Sequence, residues 1–140
     1  MNRRNLLKSA AAMMPLALAG DLLAQPTGLP PETVYELRIY HLNAGKLPLI
    51  IERFRKETKI FARLGMTNIA FWSPVDGVLP AETLVYMLRH KSREAARASW
   101  AAFKVDPEWV ALKAESEKDG AFVAKSESTF LKLTDFSPTL

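Results

Sequence analysis

The sequence contains no cysteine and only two histidines among its 140 residues. The absence of cysteine excludes disulfides, thiolate metal sites and a cysteine nucleophile, and it is compatible with an oxidising compartment. The histidines, His41 and His90, have no carboxylate at ligand spacing, so the sequence predicts neither a metal site nor a cofactor. We interpret both as surface or hydrogen-bonded side chains.

A strong net charge is also lacking. The formal charge is +4, but Arg3, Arg4 and Lys8 fall in a predicted leader, which leaves about +1 or +2 for the remainder. No basic run lies beside aromatic residues, and no apolar run reaches the roughly 20 residues that a transmembrane helix needs. We therefore expect no nucleic-acid partner and no stable membrane span.

Recognisable catalytic motifs are missing as well. There is no glycine-rich phosphate loop, and Ser92 and Ser99 have no histidine or aspartate at a nucleophile spacing. The catalytic residues are therefore unknown at this stage, and whether the protein is an enzyme stays open.

Residues 1–24 have the features of an export signal. The three basic residues named above precede an apolar run over residues 10–19, and Ala-Leu-Ala at residues 17–19 fits a cleavage site. The segment N-R-R-N-L-L-K resembles the twin-arginine signal of bacteria, although the general secretory route stays open. We predict a periplasmic or secreted protein.

The remaining chain divides into a proline-rich linker over residues 25–33 and one domain over residues 34–138. Alternation with a period of two predicts strands over residues 34–42, 66–73, 83–90 and 121–133. Helical spacing predicts one helix over residues 46–64 and two more that begin after Ser92 and Asp106, which act as their caps. On the first helix, Arg53 and Glu57 are expected mainly on the exposed side.

This order of elements predicts an α+β fold of the ferredoxin-like βαββαβ type, with a four-stranded antiparallel sheet and helices over one face. The second and third strands are apolar on both sides, so the helix-free face would expose a large apolar patch. A second copy of the chain would cover that patch, and two copies packed sheet to sheet would enclose a hollow. The expected partner is therefore a second copy in a homodimer.

Glu36, Arg38 and Tyr40 share one face of the first strand. They would point into the hollow between two copies if Leu37 and Ile39 face the helices. A carboxylate, a guanidinium and a phenol in this position could orient a ligand or serve as acid and base.

Aromatic residues complete the candidate ligand site. Trp72 and Tyr86 lie on strands and could line an apolar pocket, which makes a small apolar molecule a possible ligand. Trp100 and Trp109 lie on helical stripes, and we predict that both belong to the core.

Several short segments occur in a characteristic order: Y-E-L-R-I-Y at 35–40, G-K-L at 45–47, L-V-Y-M-L at 84–88, S-W-A-A-F at 99–103, D-P-E-W at 106–109 and T-D-F-S-P at 134–138. Together they resemble the NIPSNAP domain. The resemblance implies a dimeric α/β barrel, in a superfamily that also holds cofactor-independent monooxygenases, muconolactone isomerases and haem-handling enzymes. It implies no particular reaction.

We interpret the chain as a homodimeric barrel that binds a small, partly apolar molecule. One alternative is a cofactor-independent monooxygenase or isomerase of the dimeric α/β barrel type. The other is a structural or protein-interaction module without a ligand, in which Glu36 and Arg38 pair with cross-strand neighbours such as Lys125 or Glu127.

Overall fold

The computed structural model describes residues 28–140, and the predicted leader over residues 1–24 lies outside the described residues. In chain order the elements are β1 (Val34–Leu42), α1 (Leu47–Arg63), β2 (Thr67–Trp72), β3 (Thr83–His90), α2 (Arg93–Val105), α3 (Pro107–Ser116) and β4 (Val123–Leu131). The ferredoxin-like α+β class is confirmed. None of the helices within residues 28–140 is long and apolar enough to cross a membrane.

The four strands form one antiparallel sheet in the order β2-β3-β1-β4. In the register of the two central strands, Leu37 lies opposite Met87 and Arg38 lies opposite Tyr86. Directly opposed residues of antiparallel strands point to the same face, so each pair marks one face of the sheet.

The polar face of β1 is the one that the helices cover. The Tyr40 ring lies 6.3 Å from the Phe54 ring of α1, and the Trp100 indole of α2 donates a hydrogen bond to Glu36. The orientation considered for β1 is therefore reversed: Leu37 and Ile39 lie on the open face of the sheet. The physical reason is that the Glu36 carboxylate finds hydrogen-bond donors on the covered face of the sheet, among them the Trp100 indole of α2.

Both helix caps predicted from the sequence are present. Ser92 Oγ accepts a hydrogen bond from Ala95 N at 3.0 Å. Asp106 Oδ1 accepts hydrogen bonds from Glu108 N and Trp109 N, each at 3.1 Å. These bonds satisfy amides that have no partner within the first turn of a helix, which explains why α2 and α3 begin where they do.

The start of α1 is held by a residue distant in sequence. The cap residue Lys46 offers no side-chain acceptor. Instead the Glu82 carboxylate, from the β2–β3 connection, accepts hydrogen bonds from Gly45 N at 3.2 Å and Leu47 N at 3.1 Å. A carboxylate beside a helix N-terminus also interacts favourably with the helix dipole.

The core between α1 and the sheet is aromatic but contains an ion pair. Phe61 and Tyr86 are both fully buried, with ring centroids 6.2 Å apart. Arg53 and Glu57 are also buried, at 5% and 1% exposure, so the prediction that they lie outside was wrong. Arg53 Nη1 donates to Glu117 at 2.8 Å, beyond the end of α3, so packing of that part of the chain buries this side of α1.

Candidate functional site

A cavity of about 450 Å³ opens between α2 and the side of the sheet that carries β1 and β4. Its floor is formed by Glu36 and Arg38 of β1. Its aromatic walls are Trp100 of α2 and Phe130 of β4. The volume lies within the range of small-molecule sites in proteins.

Glu36 is 1% exposed and joins four elements of the fold. Its Oε2 accepts hydrogen bonds from His90 Nε2 of β3 at 2.9 Å and from Trp100 Nε1 of α2 at 2.7 Å. Its Oε1 accepts from Ser128 Oγ of β4 at 2.7 Å and from Arg38 Nη1 of β1 at 2.6 Å. Four donors thus converge on a single carboxylate.

The pKa of Glu36 follows from these contacts. Burial by itself favours the neutral acid, but hydrogen bonds from His90, Trp100, Ser128 and Arg38 outweigh it and lower the pKa to about 2. The carboxylate is therefore ionised at neutral pH, and the hydrogen in its contact with His90 lies on Nε2. A base of such low pKa removes protons poorly, because efficient general bases have a pKa near the working pH.

Arg38 lies between Glu36 and the aromatic residues. Its guanidinium carbon lies 4.4 Å from the centre of the Trp100 ring and 5.6 Å from that of Tyr40. Nη1 is bonded to Glu36, whereas Nε is buried and has no acceptor among the described residues. Arg38 therefore retains hydrogen-bonding capacity beside the cavity.

Tyr40 and Tyr86 form a second layer behind Arg38. Tyr86 Oη donates to Tyr40 Oη at 2.7 Å, and the two rings meet edge to face with centroids 5.1 Å apart. Tyr86 is fully buried, and burial raises its pKa well above its ordinary value, so its hydroxyl stays protonated. Neither ring lines the 450 Å³ cavity.

A second, smaller cavity of about 140 Å³ lies on the other side of Tyr40, beside Arg53 and Glu57. Burial raises the pKa of Glu57 to about 7, although the charge and hydrogen bond of Arg53 oppose that shift. Glu36 is therefore ionised at neutral pH, whereas Glu57 titrates near neutrality.

Four of the five predicted ligand residues come together in this region, and one does not. Glu36 and Arg38 line the large cavity, with Tyr40 and Tyr86 packed behind them. Trp72 pairs with Val85, which places it on the opposite, open face of the sheet, where it is 48% exposed.

The charged side chains of β4 do not pair with Glu36. Lys125 Nζ donates to Glu127 Oε1 at 2.7 Å, and His41 Nε2 lies 3.1 Å from the same oxygen. Lys125 and Glu127 lie opposite His41 and Ile39 in the register, hence on the open face, so the suggested cross-strand partners were wrong. Within residues 28–140 no group of histidine, aspartate and glutamate has the arrangement of a metal site.

The contribution of α2 to the cavity lining was not predicted from the sequence. Trp100, predicted as core, does pack against the core rings of Phe61 and Phe103, but it is only half-buried and also forms a wall of the cavity. Arg93, Arg97 and Lys104 also line the cavity. Their spacing of four and seven residues places them on one helical face, which is the signal that could have revealed them.

The comparisons with known proteins agree with this architecture. A family model, that of NIPSNAP, matches residues 35–138. No curated protein matches the chain.

A solved structure of a NIPSNAP-like domain protein from Burkholderia xenovorans is 19% identical, with a TM-score of 0.66, over 78% of this chain and 91% of that one. A NIPSNAP family protein from Agrobacterium tumefaciens strain C58 is 24% identical, with a TM-score of 0.65, over 76% of this chain and 97% of that one. At sequence identities this low, the structural likeness shows a shared fold alone and carries no conclusion about activity.

Proposed function

The chain belongs to the NIPSNAP family, and from that membership and the cavity at α2 we propose that it is an exported homodimer whose subunits each bind a small, partly apolar molecule. The observation that carries the binding proposal is the 450 Å³ cavity, which combines aromatic walls with a polar floor. Ligand sites in proteins typically have this composition, because apolar walls supply affinity and a few polar groups set orientation.

The state of Glu36 favours binding over acid–base catalysis. An enzyme of the monooxygenase or isomerase type needs a group that accepts a proton near neutral pH. Glu36 has a pKa of about 2 and already accepts four hydrogen bonds, so it positions Arg38 and Trp100 instead of reacting. Glu57 has the more suitable pKa, but it does not line the large cavity.

The open face of the sheet supports the homodimer. Leu37, Ile39, Val85 and Met87 cluster at its centre, each half-buried, and Trp72 extends the apolar surface to the β2 edge. A contiguous apolar patch on a small protein marks an interaction surface. We propose a second copy as the partner, with the two open faces packed on each other and the ligand cavities on the outer, helical sides.

Native mass spectrometry on the mature protein at micromolar concentration tests both parts, since it reports subunit number and bound small molecules together. Met87→Glu should yield monomers, whereas Val110→Glu, the same kind of change on an exposed site of α3, should leave the dimer intact. Ala101→Trp fills the mouth of the cavity and should remove bound ligand, whereas Ala102→Trp on the neighbouring exposed position should not.

A wild-type protein that remains monomeric would overturn the homodimer. Equal retention of small molecules by wild type and Ala101→Trp would overturn the cavity as the binding site.

The export proposal rests on residues 1–24 and needs its own experiment. Cell fractionation of the full chain should place the protein outside the cytoplasm. Replacing Arg3 and Arg4 by lysine should block export if the twin-arginine route is used, and should leave it unchanged if the general secretory route is used. Full retention of the unaltered chain in the cytoplasm would contradict export.

A further inference from the structure

We infer that the ligand of the α2 cavity is an organic anion, a planar carboxylate, held by the cationic side chains of α2 and by Arg38. This inference rests on the proposed binding function and specifies its ligand class. Four cationic side chains and one carboxylate surround the cavity.

The single carboxylate does not neutralise the cavity. Glu36 is bonded to Arg38 at 2.6 Å and accepts three further hydrogen bonds, so its charge is already compensated. The other three cations, Arg93, Arg97 and Lys104, form no ion pair with any of the described residues 28–140. Like charges four residues apart on a helix repel each other, and an anion in the cavity would relieve that repulsion.

The donors suit a carboxylate. Arginine presents parallel N–H groups that match the two oxygens of a carboxylate, and such charge-assisted bonds are stronger than neutral ones. Arg38 contributes its positive charge from the floor of the cavity, where its Nη1 is bonded to Glu36. Arg97 and Lys104 contribute from the rim, where both are exposed and free to reorient toward a bound anion.

The walls favour a planar scaffold. The Trp100 ring has the Arg38 guanidinium over it at 4.4 Å, and the Phe130 ring has the Arg93 guanidinium over it at 3.9 Å. Planar groups stack on aromatic and guanidinium faces, whereas a bulky aliphatic group cannot use them as well. A fused aromatic carboxylate combines the flat surface and the charge that this cavity can recognise.

A pair of probes that differ only in charge tests the inference. Binding of 6-fluoro-2-naphthoate and of the neutral 6-fluoro-2-naphthamide to the purified protein is followed by fluorine NMR. We expect the carboxylate to bind at least about tenfold more tightly, as one charge-assisted bond in a partly buried site supplies that factor. Raising the salt concentration should weaken binding of the carboxylate and leave binding of the amide unchanged, because salt screens exposed charges.

Matched variants locate the effect. Arg97→Gln should remove most of the preference for the carboxylate, and Lys104→Gln should reduce it as well. Arg55→Gln makes the same charge change on an exposed site of α1 outside the cavity lining and should have no effect. Unchanged melting temperatures would show that each variant is folded.

The outcomes separate the ligand class from the binding function. Equal affinity for both probes, lost in Ala101→Trp, would overturn the anion inference and leave the cavity proposal standing. Binding of neither probe to wild type at millimolar concentration would count against the cavity proposal, and the inference would fall with it. A carboxylate preference that survives in Arg97→Gln together with Lys104→Gln would place the anion elsewhere and overturn the assignment to α2.

Discussion

Replacing Glu36 by glutamine should destabilise the protein strongly, because it leaves four converging donors with one acceptor oxygen. If the amide nitrogen takes the Oε1 position, it faces Arg38 Nη1, which cannot accept a hydrogen bond. If it takes the Oε2 position, it faces Trp100 Nε1, which cannot accept one either. A donor therefore faces a donor in both orientations.

The magnitude follows from the pKa of Glu36. The carboxyl group shifts from its ordinary value of 4.5 to about 2 on folding, which corresponds to about 3 kcal/mol of stability at neutral pH. Because the folded-state pKa is depressed, this contribution is present above pH 4.5 and is lost as the pH falls toward 2. At pH 3 about half of it should remain.

Urea unfolding monitored by tryptophan fluorescence measures the effect. We expect Glu36→Gln to lower the free energy of unfolding by about 3 kcal/mol at pH 7 and by about half as much at pH 3. Glu52→Gln is the control, since its carboxylate is exposed on α1 and pairs with the equally exposed Arg55. A loss below about 1 kcal/mol at pH 7, or the same loss at both pH values, would refute the account of Glu36 as a buried ionised anchor.

Two further predictions concern carboxylates away from the cavity. The pKa of Glu57 is raised from 4.5 to about 7, so between these pH values the folded protein keeps a proton that the unfolded chain releases, and stability should fall as the pH rises from 4.5 to 7. Glu57→Gln should flatten this decline, as seen by comparing urea midpoints at pH 5 and pH 8, and parallel profiles for variant and wild type would contradict it. Glu82→Ala removes both amide acceptors at the start of α1 and should lower the free energy of unfolding by about 1 kcal/mol, whereas Glu82→Gln should lose less. Indistinguishable thermal melts of wild type and Glu82→Ala would argue against that cap.

Much of the fold could be predicted from the sequence because its signals are local. The bounds of β1 and β3 match their predictions residue for residue, since alternation and turn residues are read over a few positions. The starts of α2 and α3 follow from Ser92 and Asp106, whose side chains bond amides two or three residues away. The cap on α1 was not predicted because Glu82 lies in the β2–β3 connection, 35 residues from Leu47.

The candidate site was predictable only in part. Glu36 and Arg38 stood out as polar residues on an otherwise apolar strand, and both line the cavity. Trp72 was predicted to line the site as an aromatic strand residue, but it lies on the other face of the sheet. A period-two pattern says which residues share a face and leaves open which of the two faces the helices will cover.

The sequence by itself thus determined the order and type of the elements, the bounds of β1 and β3, and the starts of α2 and α3, because hydrophobic periodicity and caps act between near neighbours. Only the tertiary structure decided that Glu36 of β1 faces inward and that Trp100 of α2 bonds to it. The same helix lines the cavity with three cations that have no acidic partner among the described residues. Those contacts join residues more than 60 positions apart, as Trp100 and Glu36 are. They depend on how a helix packs across a sheet, which no local pattern encodes.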